Sequence, residues 1–280
     1  MKIGVHSNNL HLRLARLWPG AFVDFAPEFV FYGEGRDTGA LLDKGAIHFG
    51  GTGSTPPIEA DAQGLGVVYI AGSAPRPANG AILVRKNSPI RSVADLAGQR
   101  VALIDGSFHT YLLARSLETE GLGLGDVTRI ESATRDAQQD LLDGEVDAWV
   151  TMSPRLEKAL DRDDLHLLVR CGSTIPNRSL FWTLERYALS PDTRLAIAHE
   201  LDRIGRAVMA DIDKAAALLA AQPGSEGDAG SWARVLRSRD FTVVPADQEI
   251  LAEQQDEADT LFRHGHFSAP VATGQAGIAA

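Results

Sequence analysis

The hydrophobic positions of this chain recur in two alternating rhythms. Short apolar runs of strand length are separated by longer stretches in which apolar residues return every three or four positions. Strands are predicted at Lys2–His6, Glu28–Tyr32, Ala46–Phe49 and Gly66–Ala71, with a second series at Ala81–Arg85, Arg100–Ile104, Val127–Ile130, Ala148–Thr151 and Leu165–Val169. Helices are predicted between them at Leu10–Trp18, Asp37–Asp43 and after Pro56-Pro57, then at Phe108–Glu120, Arg135–Asp143 and Pro154–Leu160. Such alternation is the pattern of βα units around mostly parallel sheets, and two series of it predict two α/β lobes.

The last third changes character. Pro191–Ala221 is rich in Ala and Leu and predicts one long helix or a bent pair, with Pro191 in the first turn and Gln222-Pro223-Gly224 as the stop. Ser231–Arg237 and Pro245–Arg263 add two helices, and from Phe267 a tail of small residues is expected to be mobile.

Composition narrows the function. A chain of 280 residues, 44% hydrophobic and 23% charged, is long enough for one large core or two lobes. A formal charge of −10 without a clustered basic tract argues against nucleic-acid binding. No run approaches the roughly 18–20 apolar residues that span a bilayer. Cys171 is the only cysteine, so no internal disulfide or cysteine-rich metal site can form, and no metal or cofactor is expected. The start "MKIGVHSNN" reads as a first strand and lacks the apolar core of a secretory signal. A cytoplasmic protein is therefore expected, or one whose export signal has been removed.

The candidate chemistry sits in the strand-to-helix turns. Gly50-Gly51-Thr52-Gly53-Ser54-Thr55-Pro56-Pro57 combines permissive backbone, hydroxyls and a helix start, which together make either an anion cradle or an ordinary turn. It is not a Walker loop, since no Lys follows the last Gly. Asp105-Gly106-Ser107-Phe108-His109-Thr110 is a second such turn, with Ser107 as helix cap or ligand hydroxyl and an Asp105 that repels anions unless it turns away. Ser7-Asn8-Asn9 is a third. All three fall at the carboxyl ends of strands, where open α/β sheets bind ligands. There is no Gly-x-Ser-x-Gly elbow and no His-Glu-x-x-His motif. His6, His48 and His109 lie at or beside these edges, and each reads first as a structural histidine. His264 and His266 read as solvated surface, and Cys171 as a buried small residue.

These turns and the stretches around them resemble the aliphatic-sulfonate-binding proteins of ABC importers, in the wider family of nitrate, taurine and pyrimidine-precursor binders. The resemblance runs from about Lys2 to Phe267 through "GGTGSTPPIEADAQGLGVVYIAG", "AILVRKNSPIRSVADLAGQRVAL", "GSFHTYLLARSLETEGLGLGDV", "RDAQQDLLDGEVDAWVTMSPRLEKAL" and "FTVVPADQEILAEQQDEADTLF". It implies a two-lobed periplasmic-binding-protein-like fold of type II, with 1–83 and 188–267 in one lobe, 84–187 in the other and 268–280 as a flexible tail. The crossovers would fall near Leu83–Lys86 and Leu184–Ala188, and the lobes would close on a ligand like a hinge. It further implies a monomer, periplasmic or at the cell surface, that hands a small organic anion to an ABC permease. The implied pocket comprises Ser7, Asn8, Asn9, Thr52, Gly53, Ser54, Ser107, Phe108 and His109, with Trp149, Met152, Ser153, Asn177 and Arg178 closing the other side. Where relatives commonly read Trp-Asp-Pro, this chain has Met152-Ser153-Pro154, which points to a larger or less acidic pocket. A related desulfinase of the same fold uses a cysteine after its first strand and an Arg before Phe-Gly-Gly. Asn9 and His48 stand at those places here, so that chemistry is not expected. A cytoplasmic enzyme on the same fold is the alternative, lyase- or desulfinase-like or biosynthetic and acting on a sulfur-containing or carboxylate substrate, with His48 or His109 as acid–base group and Asn9 and Ser107 positioning the substrate.

Overall fold

A computed structural model describes residues 1–133 and 135–276. The first strand, β1 (Lys2–His6), buries Ile3 and Val5 completely, and α1 (Leu10–Leu17) follows it with Leu12 and Leu14 buried on its inner face. Next come β2 (Glu28–Tyr32), α2 (Thr38–Asp43), β3 (Phe49–Thr52), α3 (Thr55–Ala62) and β4 (Val67–Ser73). The middle of the chain supplies β5 (Gly80–Arg85), β6 (Arg100–Leu103), α4 (Phe108–Glu118), β7 (Thr128–Glu131), α5 (Ala137–Asp143), β8 (Ala148–Met152), α6 (Arg155–Leu160) and β9 (Leu165–Arg170). The last third holds β10 (Leu180–Leu184), α7 (Pro191–Ala210), α8 (Ile212–Ala220), α9 (Ala229–Arg237), β11 (Val243–Pro245), α10 (Gln248–Arg263) and β12 (Gln275–Ala276).

Two sheets result. The first runs β11-β4-β10-β3-β1-β2, with β12 also on β4, and the second runs β7-β6-β8-β5-β9. β1 is parallel to β2 and β3, whereas β10 is antiparallel to both of its neighbours, β3 and β4. In the second sheet β6 is parallel to β7 and β8, and β5 is antiparallel to β8 and β9. Each sheet forms one compact unit, the first from Met1–Ala74, Arg178–Ala258 and 271–276, the second from Pro75–Asn177 and Asp259–Pro270. The crossings thus come earlier in the chain than Leu83–Lys86 and Leu184–Ala188. The reason is pairing: β5 lies wholly within the second sheet and β10 wholly within the first. The second unit also takes Asp259–Pro270, which the family pattern placed in the first lobe.

Two further expectations are corrected, and one pair of alternatives is decided. The strand expected at Ala46–Phe49 is Phe49–Thr52, because Gly50 and Gly51 are strand residues and not loop. β10 was not expected at all, although every residue of it is buried. The Ala-rich segment is a pair of helices because Asp211 ends α7 and its side chain accepts the Lys214 N–H to start α8, at 3.0 Å.

The tail is not loose over its described part. Phe267 and Val271 are buried, and the Gln255 side chain donates to Val271 O (3.0 Å) and accepts from Thr273 N–H (3.0 Å). Gly274 N–H donates to Asp61 (2.7 Å), and β12 then pairs in parallel with β4. These bonds satisfy backbone groups that a free tail would leave to water. Residues 277–280 lie outside the described residues. His264 and His266 are also not solvated. His264 accepts from Leu124 N–H (3.3 Å) and lies 3.1 Å from Glu118, and His266 lies 4.0 Å from Asp105.

A Cβ at residue 274 would stand 2.0 Å from Val67 O. Gly274→Val is therefore expected to release the tail strand at a cost of order 1–3 kcal/mol. Thermal unfolding should shift downward and hydrogen exchange over residues 67–69 should quicken. Unchanged exchange there would mean that the tail contributes nothing to this edge.

Candidate functional site

The parallel register of β1 and β3, with Gly4 opposite Gly50, brings the turns after these two strands to the same edge of the first sheet. The Asn9 Oδ1 accepts the Leu12 N–H (3.0 Å), capping α1 and fixing which way the amide points. Its Nδ2 is buried without a hydrogen-bond partner, 2.7 Å from where a Cβ on Gly51 would lie. A side chain at 51 would also meet the Phe181 ring at 2.8 Å, so glycine is required there by close approach and not by turn geometry. On the neighbouring turn Ser54 is buried, with its Oγ unpartnered, immediately before α3.

Other expected donors of this unit are already occupied. Thr52 Oγ1 donates to Gly53 O (2.8 Å) and accepts from Trp182 Nε1 (3.0 Å). Ser7 Oγ donates to Gly33 O (2.9 Å), and Asn8 N–H donates to His6 Nδ1 (3.2 Å). Arg178 is committed elsewhere: it pairs with Glu253 (2.7 Å) and Glu249 (3.3 Å), hydrogen bonding to Glu253 raises its pKa, and its Nη1 donates to Ser73 O. The guanidinium that the sequence offered to an anion is thus neutralised within its own unit. A surface groove of about 330 Å³ flanks α1, where Arg13 and Arg16 lie over the rings of Trp232 and Phe31. Of the expected site residues it includes Ser7 alone.

His48 stands at the amino end of β3 and Thr52 at its carboxyl end, roughly 13 Å apart along an extended strand. His48 Nδ1 accepts the Lys2 N–H (3.0 Å), and desolvation, with the charges of the amino terminus and Lys2, lowers its pKa. It is a structural histidine on the wrong edge for acid–base work at the turns.

In the second unit the parallel pair β6 and β8 places the turns after them side by side. Ser107 caps α4: its Oγ accepts from His109 N–H (3.2 Å) and donates to Ile104 O (2.6 Å), so its hydroxyl proton is spent on the fold. The Asp105 carboxylate is turned to Arg129 (2.7 Å) and Thr110 (2.8 Å), which removes the repulsion expected of it. Phe108 is buried, its ring 4.6 Å from that of His109. His109 Nδ1 accepts the Ile104 N–H (3.3 Å), so the neutral ring carries its proton on Nε2. That Nε2 is buried and unpartnered. Burial, and then the charge of Arg155, lower the His109 pKa to about 3, which leaves a neutral donor in place of an acid–base group.

The remaining expected residues divide. Trp149 belongs to the hydrophobic core of the second unit with Leu83, Leu141 and Leu156. Met152 ends β8 opposite Gly80, half-buried. Ser153 Oγ donates to Glu157 Oε1 (2.6 Å), and its N–H donates to Asn79 O (3.0 Å). Asn177 serves the fold: its Oδ1 and backbone O accept from the buried Arg76 (2.9 and 2.7 Å). Cys171 Sγ donates to Pro77 O (3.2 Å) in the same cluster. Arg76 and Glu157 were missed by the sequence reading. Glu157 had a signal, a carboxylate one helical turn after Ser153.

Both edges therefore present buried neutral donors at the carboxyl ends of parallel strands in α/β units, an arrangement of the periplasmic-binding-protein class. The NMT1/THI5-like family model matches residues 26–165. An Escherichia coli (strain K12) protein named for aliphatic sulfonate binding is 31% identical over 273 residues, covering 94% of this chain and 84% of its own length. The crystal structure of the periplasmic aliphatic sulphonate binding protein SsuA from Escherichia coli superposes with a TM-score of 0.86 at 28% identity, over 100% of this chain and 93% of that one. The alkanesulfonate-binding protein SsuA from Xanthomonas axonopodis pv. citri, bound to MOPS, gives 0.85 at 26% identity, over 98% and 96%. The chain belongs to the aliphatic-sulfonate-binding protein family.

The folded His109 stays neutral down to about pH 3, whereas the unfolded residue titrates near 6.5. Between these values the unfolded chain binds the extra proton, so stability falls as pH drops through this window. Urea unfolding at about pH 7 and about pH 5 should show a smaller acid loss for His109→Gln than for the unsubstituted protein. Equal losses would show that the imidazole is not held neutral.

Proposed function

We propose that the protein binds an organic sulfonate outside the cytoplasm and presents it to an ABC permease. The observation that carries this reading is that the strand-end turns hold buried, unpartnered neutral donors, Asn9 Nδ2 and Ser54 Oγ within the first unit and His109 Nε2 within the second. A buried donor without an acceptor costs about 1–3 kcal/mol, a cost that a bound oxyanion removes. Sulfonates suit such donors. They stay ionised at any physiological pH, offer three oxygens, and can be held by N–H and O–H dipoles and helix amino termini without a counter-charge. The family relationship supplies the class of anion, and the pairing of Arg178 with Glu253 agrees with a site that works without a buried cation. The enzyme alternative draws no support from His48 or His109, each of which accepts a backbone N–H at Nδ1 and serves the fold.

Calorimetric titration with ethanesulfonate tests the reading. Ser54→Ala should weaken binding by about 1–3 kcal/mol, while Ser107→Ala should cost about 1 kcal/mol of stability through the lost cap and leave affinity nearly unchanged. Affinity should vary little with salt, because the donors carry no net charge. Undiminished affinity in Ser54→Ala would place the ligand elsewhere.

A further inference from the structure

Glu157 is an unusual resident of an anion-binding edge. It sits in the first turn of α6, directly after the β8 turn, and its Oε1 accepts the Ser153 hydroxyl at 2.6 Å. Its Oε2 is buried and has no hydrogen-bond partner. No described Lys, Arg or His forms an ion pair with it, although Arg155 and Lys158, both exposed, stand on the same helix. A carboxylate oxygen removed from water without a donor is costly, and the cost is removed only when a donor arrives.

The neighbourhood says what kind of donor. Ala102 pairs with Trp149, so the turns that follow β6 and β8 are adjacent at one edge. The first of these turns carries His109, whose Nε2–H lacks an acceptor, and the second carries Glu157, whose Oε2 lacks a donor. These are opposite demands within one unit. A simple alkyl sulfonate answers only the first and is repelled by the carboxylate. A ligand with an oxyanion at one end and a cation at the other answers both.

We infer that Glu157 selects, within the sulfonate class proposed above and resting on that reading, for sulfonates that carry an ammonium group at their other end. Ser153, in the turn after β8, holds the Glu157 carboxylate in place through its hydroxyl.

The test is calorimetric titration of the intact protein with taurine, isethionate and ethanesulfonate, which share a two-carbon sulfonate and differ in the distal group. Taurine should bind at least tenfold more tightly than ethanesulfonate, with isethionate between them. In Glu157→Gln, which keeps an oxygen for Ser153, the taurine-to-ethanesulfonate ratio should collapse to within about twofold, with circular dichroism confirming the fold. Ethanesulfonate binding as tightly as taurine in the unsubstituted protein would overturn the inference while leaving the sulfonate reading intact. Isethionate matching taurine would overturn the requirement for charge, and a ratio preserved in Glu157→Gln would remove Glu157 from the role. Failure of all three to bind would overturn the sulfonate reading and this inference with it.

Discussion

The candidate site of the first unit depends on a side chain that is absent. At Gly51 the backbone of β3 runs so close to the Asn9 amide and the Phe181 ring that no Cβ can be accommodated. That closeness lets β10 lie against β3 on one side while β1 lies in parallel register on the other. It also presses the Asn9 amide against the sheet, where its oxygen caps α1 and its nitrogen is left without a partner. A methyl group at 51 would separate these elements and scatter the donors that their convergence creates. The fold and the site of this unit thus share one steric condition.

Electrostatics follows from a similar economy. The chain is acidic, with a formal charge of −10, and its arginines beside the candidate site are largely engaged by carboxylates of their own unit. Arg178 meets Glu253 and Arg129 meets Asp105. Their effect is to leave neutral donors at the candidate site, so that the proposed anion would be held without the desolvation cost of a buried cation.

Much of this was legible in the residues. Regular apolar periodicity located β1, β2 and the helices α1, α4 and α10 to within a few positions, because a single buried face dictates it. β10 escaped because a central strand buried on both faces has no alternation to read, and its run "LFWTL" is short. Gly50 and Gly51 read as loop because glycine permits turns, yet here it permits contact. Among the candidate site residues, Asn9, Ser54 and His109 lie in the strand-end turns that the sequence marked. That Arg178 is engaged by Glu253 and Asn177 by Arg76 was not legible, because nothing in a sequence shows which carboxylate or guanidinium will reach a side chain first. The tautomer of His109 depends on the Ile104 amide and is fixed only by the fold.

The strand at the end of the described chain bears on the order in which the molecule assembles. The first unit begins at Met1 but takes its β12 pairing on β4 from residues 275 and 276, and the second unit draws on Asp259–Pro270. Domains ordinarily fold in turn as they emerge from the ribosome. Here neither unit can do so in turn, since each is interrupted by the other and draws on residues beyond 258 to complete itself. Neither unit is complete before residues 259–276 are in place, so the two reach their native states almost together.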